Sequence, residues 1–413
     1  MKGEILEGVR PQNPIELWIN EKIFMGMTLS EYRKRLFTPF HIVCALILIV
    51  GVPLILLRYV NGLGAVTHAS QDQPFGLFLG WGLFTGVPLS ATGFLMASAV
   101  YLFGLKEYKP LVRPAILTGF VGYAFAVIYL LIDLGRPWRL PYPMFYSFGP
   151  GSVLFLVAWH VALYLSVQFL EFSPAIFEWL ETKKLRAWVI RITIGATIFG
   201  VILSTLHQSA LGALFLLAPG KLHPLWYTPY LPVLFFVSAI FAGLSMVIVE
   251  STLVYRFLRD KVDPKHYESI GQLTLGLGKA ASFTLFTYFC LKVLGVAHSH
   301  SWHLLGTAWG SWFLLEMFGF VLLPCFFFLH AVRNQNVSLV RFTAFLTVIG
   351  IACNRLTVSL LASSWRFADV EIFNGKEFTI VLTVITIEIL VYRWIVNRMP
   401  VHREDPKFLG DGH

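Results

Sequence analysis

The chain has 413 residues, 56% of them hydrophobic and only 13% charged, with a formal net charge of +9 and a mean hydropathy of +0.69. This composition excludes an ordinary soluble domain and describes a polytopic membrane protein. The positive balance does not indicate nucleic-acid binding, because the basic residues fall in alternate loops between apolar segments.

Residues 1–37 are mixed and polar, with Trp18, Ile19, Ile23 and Phe24 as apolar anchors. They are expected to form a cytoplasmic arm of short helices on the membrane surface. The opening stretch, MKGEILEGVRPQNPIELWINEK, lacks the apolar core of a cleavable signal, so the first span is expected to direct insertion. Hydropathy then predicts an all-α membrane domain over 38–397, followed by a cytoplasmic tail over 398–413. Its ten spans run near 38–60, 76–104, 112–134, 150–171, 188–213, 230–258, 270–297, 307–332, 339–362 and 376–397. Several exceed the hydrocarbon thickness and predict tilt or protrusion. In the second span, Pro88 lies among Thr85, Ser90 and Thr92, which predicts a kink lined by hydroxyls.

Loop charges orient the chain. Lys22, Arg33, Lys34 and Arg35 precede the first span, and Lys106 and Lys109 follow the second. Lys183, Lys184 and Arg186 follow the fourth, Arg259, Lys261 and Lys265 the sixth, Arg333 the eighth, and Arg398, Arg403 and Lys407 the tenth. The intervening loops carry few basic residues, so both termini are expected in the cytoplasm. The opposite loops, GRPWRLPYPMFYSFGPG, APGKLHPLWYTPYLP and HSHSWHLL, are rich in Trp, Tyr and Pro. Either an aromatic belt or a docked partner accounts for that composition. Cys44, Cys290, Cys325 and Cys353 lie in apolar segments without a CxxC pair. This spacing supplies neither a four-cysteine iron–sulfur site nor a disulfide framework.

The third span ends abruptly at Asp133, with Gly135 as a stop and Pro137 forbidding continuation. A carboxylate there faces the negative end of the helix dipole and the hydrocarbon, both of which penalise its charge. Arg136 and Arg139 favour that charge. An acid between such influences is a candidate proton donor; the structural alternative is an ion pair with Arg136 that fixes the helix end. Tyr129 lies one turn earlier on the same face. His207, in STLHQSALG of the fifth span, sits among small and polar residues that suggest a packed pocket. Asp133, His207 and Tyr129 are therefore expected to line one cavity near the outer surface. Deeper in the membrane lie His160, Glu250, Lys279, Glu316, Arg355 and Glu388, either a proton path or structural ion pairs. His298, His300 and His303 in one outer loop form a weak metal pattern, and no metal site is expected there. His160 and His207 sit at depths compatible with a b-type haem.

The run YKPLVRPAILTGFVGYAFAVIYLLIDLGRPWRLPY, then SVLF, LEFSPAIFE, HQSALGAL, KLHPLW and NRLTVSL resembles the NrfD/HybB family. These are membrane subunits of polysulfide reductase-like enzymes, hydrogenase-2 and alternative complex III. The resemblance covers most of 38–397 and is nearest the ten-span HybB type, such as the membrane subunit of the menaquinone reductase complex Qrc. It implies two helical bundles and a quinone site toward the periplasmic side of spans two to five, roughly 76–213. It also implies menaquinone or ubiquinone as cofactor, with no haem or iron–sulfur cluster of the chain's own. The implied partners are a periplasmic iron–sulfur subunit and further redox subunits, of molybdopterin, hydrogenase or multihaem cytochrome type. Asp133, His207, Tyr129 and Arg136 are carried over to the quinone site. Glu250, Glu316 and Arg355 match polar positions of proton paths. The expectation is a quinone-reactive subunit of a respiratory oxidoreductase in the bacterial inner membrane. A proton-coupled secondary transporter and a haem-bearing cytochrome b are the alternatives.

Overall fold

Apolar runs of this length satisfy their backbone in lipid only by coiling into helices. The computed structural model describes residues 13–70, 73, 75–367, 373–403 and 406–408. Among them, ten helices are long and apolar enough to cross a membrane: Pro39–Asn61, Phe78–Leu102, Lys106–Asp133, Val153–Trp179, Lys183–Leu217, Leu231–Phe257, Ile270–His298, Ala308–Arg333, Val337–Leu361 and Gly375–Arg398. These are the first to tenth spans, one for each expected from hydropathy.

The largest boundary difference is the fourth span, which runs to Trp179 rather than 171. Pro174 does not end it. The carbonyl of Leu170, left without its usual N–H by Pro174, accepts the Ser173 hydroxyl at 2.8 Å. The kink expected at Pro88 is present. The second span breaks between Gly86–Leu89 and Thr92–Ala97, with wider π turns at Phe78–Thr85 and Ser98–Leu102. Thr85 Oγ1 donates to the Gly80 carbonyl at 2.8 Å and Ser90 Oγ to the Gly86 carbonyl at 2.7 Å.

Spans two to five pack as one four-helix bundle and spans six to nine as a second. The fifth and second spans join the two bundles through the sixth and ninth. The first and tenth spans pair with each other outside this frame, and the tenth lies along the third. That last packing positions Asp133, Glu377 and Glu388, described below.

At the ends that carry the basic loops, charges tie the chain together. Glu178, buried at the end of the fourth span, accepts Arg113 Nη2 at 2.7 Å, Arg113 Nη1 at 2.9 Å and Arg186 Nε at 2.8 Å. Outside the spans, Glu181 binds Lys22 at 2.8 Å and Lys407 at 2.9 Å. These hydrogen bonds, that of Lys22 first, hold its carboxyl down to about 2. The helix Leu29–Leu36 starts on a reciprocal Thr28–Glu31 cap. Arg398 Nη2 ties this arm to the tenth span through the Ile23 carbonyl and the Tyr32 hydroxyl, each at 2.9 Å. If these ends face the cytoplasm, a reporter fused after Gly149 reads as periplasmic and one after Lys184 as cytoplasmic. The reverse for both reverses the orientation.

Candidate functional site

Helix ends leave carbonyls without helical partners. At the end of the third span, those of Ile132 and Leu134 accept the guanidinium of Arg58 from the first span. Arg58 is only 2% exposed, and its charge is the one that acts on Asp133. Arg136, expected in that role, is exposed. The chain turns away through Pro137–Arg139 and carries it outward. Glu377, at the start of the tenth span and buried, accepts the backbone N–H of Phe78 at 3.2 Å. A Cβ at Gly76 would come within 2.4 Å of Glu377 Oε1, so glycine permits this cap. Glu377 feels the charges of Asp133 and His68. Two acids, an arginine and a histidine thus gather where spans one, two, three and ten end.

His207 lies deeper and is fully buried. Its Nδ1–H donates to the Leu203 carbonyl at 2.7 Å, and Nε2 accepts the Tyr123 hydroxyl at 2.5 Å. Gln208 Nε2 donates to Tyr123 Oη and to the Val87 carbonyl, both at 3.1 Å. The rings of Tyr123 and Tyr164 enclose the imidazole, with centroids 5.2 Å away in each case. Tyr123 and Asp133 are ten residues apart, about 15 Å along a helix. Asp133, Tyr129 and His207 therefore do not line one cavity side by side, contrary to the expectation above. Tyr129 turns its hydroxyl to the Val381 carbonyl of the tenth span at 3.0 Å. At about 100° per residue, Tyr123 lies roughly 120° round the helix from Tyr129, on a different face. Between the two levels, Trp159 Nε1 and His160 Nδ1 of the fourth span are buried without a hydrogen-bond partner among the described residues.

The deeper ionisable residues fall into two groups. Glu388 lies against the third span, with Oε1 3.8 Å from where a Cβ at Gly122 would stand. One turn further in, Tyr392 donates to Glu250 Oε1 at 2.5 Å. The second group sits in the second bundle. Glu316, in a π turn of the eighth span, accepts Trp226 Nε1 at 3.0 Å and Asn354 Nδ2 at 3.3 Å. Arg355 lies over the Phe235 ring, 3.7 Å from its centroid, and donates to Ser238. Lys292, only 4% exposed, completes this group over the rings of Phe313 and Tyr288. A cavity of about 10 Å³ beside Tyr288, Glu316 and Asn354 is just large enough for one water.

Lys279 belongs to neither group, because it is exposed on the surface of the seventh span. Lys279 and Lys292 are thirteen residues apart, about 220° round a helix, so they lie on opposite faces. The buried lysine is thus Lys292. Arg58, Glu377, Tyr123, Tyr392 and Glu178 were also missed by sequence reasoning. Their residue types were visible, but a span that is apolar on most sides gives no stripe to mark its inner face. Of the loop histidines, His298 packs on Tyr230, and His303 Nδ1 lies 3.3 Å from the His300 carbonyl. Among the described residues, no three His, Cys, Asp or Glu side chains come together as for a metal ion.

Residues 65–367 match the family described as polysulphide reductase, NrfD. A protein of Nitratidesulfovibrio vulgaris is 47% identical over 92% of this chain and 98% of its own length. The probable Ni/Fe-hydrogenase 2 b-type cytochrome subunit of Escherichia coli is 31% identical over 91% of this chain and 94% of its own. The menaquinone reductase integral membrane subunit of N. vulgaris is 26% identical over 73% and 76%. The chain belongs to the NrfD family, as the resemblance of its motifs implied.

Proposed function

We propose that this NrfD-family chain is the quinone-reactive membrane subunit of a respiratory oxidoreductase in a bacterial cytoplasmic membrane. It exchanges electrons between menaquinone or ubiquinone and an iron–sulfur protein docked on the periplasmic side, with further redox subunits beyond. The quinone head group lies in the outer half of the first bundle. A bound quinone supplies two-electron, two-proton chemistry. The residues available there suit it. Carbonyl oxygens in a dry site need hydrogen-bond donors, and Trp159 Nε1 and His160 Nδ1 have no partner among the described residues. Asp133 exchanges protons at the mouth, with Arg58 fixing the helix end that carries it. His207 and Tyr123 form the floor, where the bond between Nε2 and the hydroxyl holds the phenol in place beneath the head group. The observation that carries this reading is Asp133 itself: an acid beside a buried arginine, at the rim of a bundle holding unused donors. The name of the N. vulgaris menaquinone reductase relative points the same way.

Glu388 of the tenth span and Glu250 of the sixth are assigned to proton supply from the opposite face. Glu316, Arg355 and Lys292 form a separate buried polar group in the second bundle that is assigned to the same task.

The test is quinone content and turnover of the purified complex. His207→Ala is expected to lower both, by roughly tenfold, since a lost buried hydrogen bond costs about 1–3 kcal/mol. Unchanged quinone content and turnover in this variant would remove His207 from the site. The cytochrome reading has the name of the E. coli relative in its favour. Against it, both ring nitrogens of His207 are engaged within the chain. An absorption spectrum of the same preparation separates the two, with no Soret band expected. A stoichiometric haem lost on changing His160 or His207 establishes the cytochrome.

A further inference from the structure

A cavity of about 540 Å³ opens among the ends of the spans that carry the basic loops. Its walls come from the third, fourth and fifth spans, the loop at Asp263–His266 and the tail at Val401–Arg403. Lys109, Lys265 and Arg403 stand on it, and Glu171 forms part of it, accepting Thr197 Oγ1 at 2.7 Å. The tail is fixed in place. Arg113 Nη1 donates to the Pro400 carbonyl at 3.3 Å, the Asp263 N–H donates to the His402 carbonyl at 3.2 Å, and Val401 is buried. This fixing sets His402 between the cavity and the protein interior. Its Nε2 is buried without a hydrogen-bond partner among the described residues and stands 3.9 Å from Glu250 Oε1, a gap that a small shift or one water closes. The same Glu250 oxygen accepts the Tyr392 hydroxyl at 2.5 Å. Thr118 lies beside both groups. Glu388 is one helical turn outward from Tyr392, facing Gly122, itself one turn outward from Thr118.

We infer that this cavity is the inner mouth of the proton supply, and that His402 is the relay passing protons from its water to Glu250 and on through Tyr392 toward Glu388. The inference rests on the quinone reading above and on the basic ends facing the cytoplasm. In each transfer, a proton from cavity water joins one imidazole nitrogen as the proton on the other leaves for the Glu250 carboxylate. The ring then returns to its first tautomer. Burial holds the His402 imidazole down to about 4, so it is neutral at physiological pH and its contact with Glu250 is not a standing ion pair. A neutral ring with an unused nitrogen suits a relay; a structural histidine at this depth has its nitrogens bonded. The role of His402 was not visible in the sequence, because it lies beyond the last span, although its partner Glu250 stood out there as an intramembrane acid.

The test uses the intact complex in liposomes with the tail side facing inward and a pH dye trapped inside. Quinone reduction is driven by a reduced viologen added outside. The wild type is expected to take protons from the interior. His402→Ala is expected to keep its quinone and lose turnover about a hundredfold, the low end of general acid–base effects. Imidazole trapped inside is expected to restore turnover in this variant and to leave Glu250→Gln slow. Rescue of this kind separates a relay from a merely structural residue, and His402→Gln, which keeps the side chain's bulk, guards against misfolding of the smaller variant. His402→Ala turning over and drawing interior protons at the wild-type rate overturns the inference, as does a slow variant that imidazole does not restore. Wild-type quinone reduction with protons drawn only from outside overturns it as well, and leaves the quinone reading standing. A wild-type complex that reduces no quinone overturns both.

Discussion

Asp133→Asn is expected to give an assembled complex that holds its quinone and reduces it roughly 10²–10⁴ times more slowly, the range for a lost general acid or base. The amide keeps the size of the side chain and cannot carry the proton. Arg58 binds the Ile132 and Leu134 carbonyls rather than depending on the carboxylate. The helix end should therefore survive the change, and quinone content should not fall. Electron transfer within the partner subunits should be untouched, since it does not pass through this residue. Steady-state quinone reduction beside extracted quinone content is the measurement. Wild-type turnover with the complex intact would leave Asp133 as a helix-end acid neighbouring Arg58, and the proton exchange would have to be sought at Glu377.

The largest stability effect is expected at Glu178. One buried carboxylate holds Arg113 and Arg186 and so ties the third, fourth and fifth spans at the ends that carry the basic loops. Glu178→Ala leaves two guanidinium groups without their acid, of which Arg186 is itself buried. Removing one partner of a buried ion pair costs about 3–5 kcal/mol. The variant is expected to show a sharply lowered unfolding midpoint in detergent and a poor yield of assembled complex. Glu178→Gln, which still offers an oxygen acceptor, should lose less. Equal midpoints for wild type and Glu178→Ala would show that the spans are held by apolar packing alone.

The ten spans were legible because runs of apolar residues bounded by Gly, Pro and basic clusters leave few choices in lipid. The end of the fourth span was not. The stretch EFSPAIFE looks like a stop, and only the Ser173 hydroxyl answering the Leu170 carbonyl explains why the helix goes on. Asp133, His207, Glu250, Glu316 and Glu388 stood out as ionisable groups inside apolar runs. What each one touches depends on rotation about the helix axis, which composition does not reveal. Lys279 and Lys292 illustrate this: both lie in the seventh span, the sequence singled out the first, and the second is the one inside. Arg58 lies within the first span and was not singled out in the sequence. Its role follows from the first span packing beside the end of the third, a contact no local pattern announces.

The placement of His402 also bears on how the protein is made. Residues 399–403 leave the ribosome after the tenth span, so the third and sixth spans enter the bilayer with Glu250 facing a gap that no imidazole yet fills. The relay comes into being only when the tail folds back across the inner ends and is caught by Arg113 and the Asp263 amide. A partly synthesised or clipped chain would sit in the membrane without this inlet. Biogenesis would then carry its own safeguard: this inlet is withheld until synthesis has passed the last span.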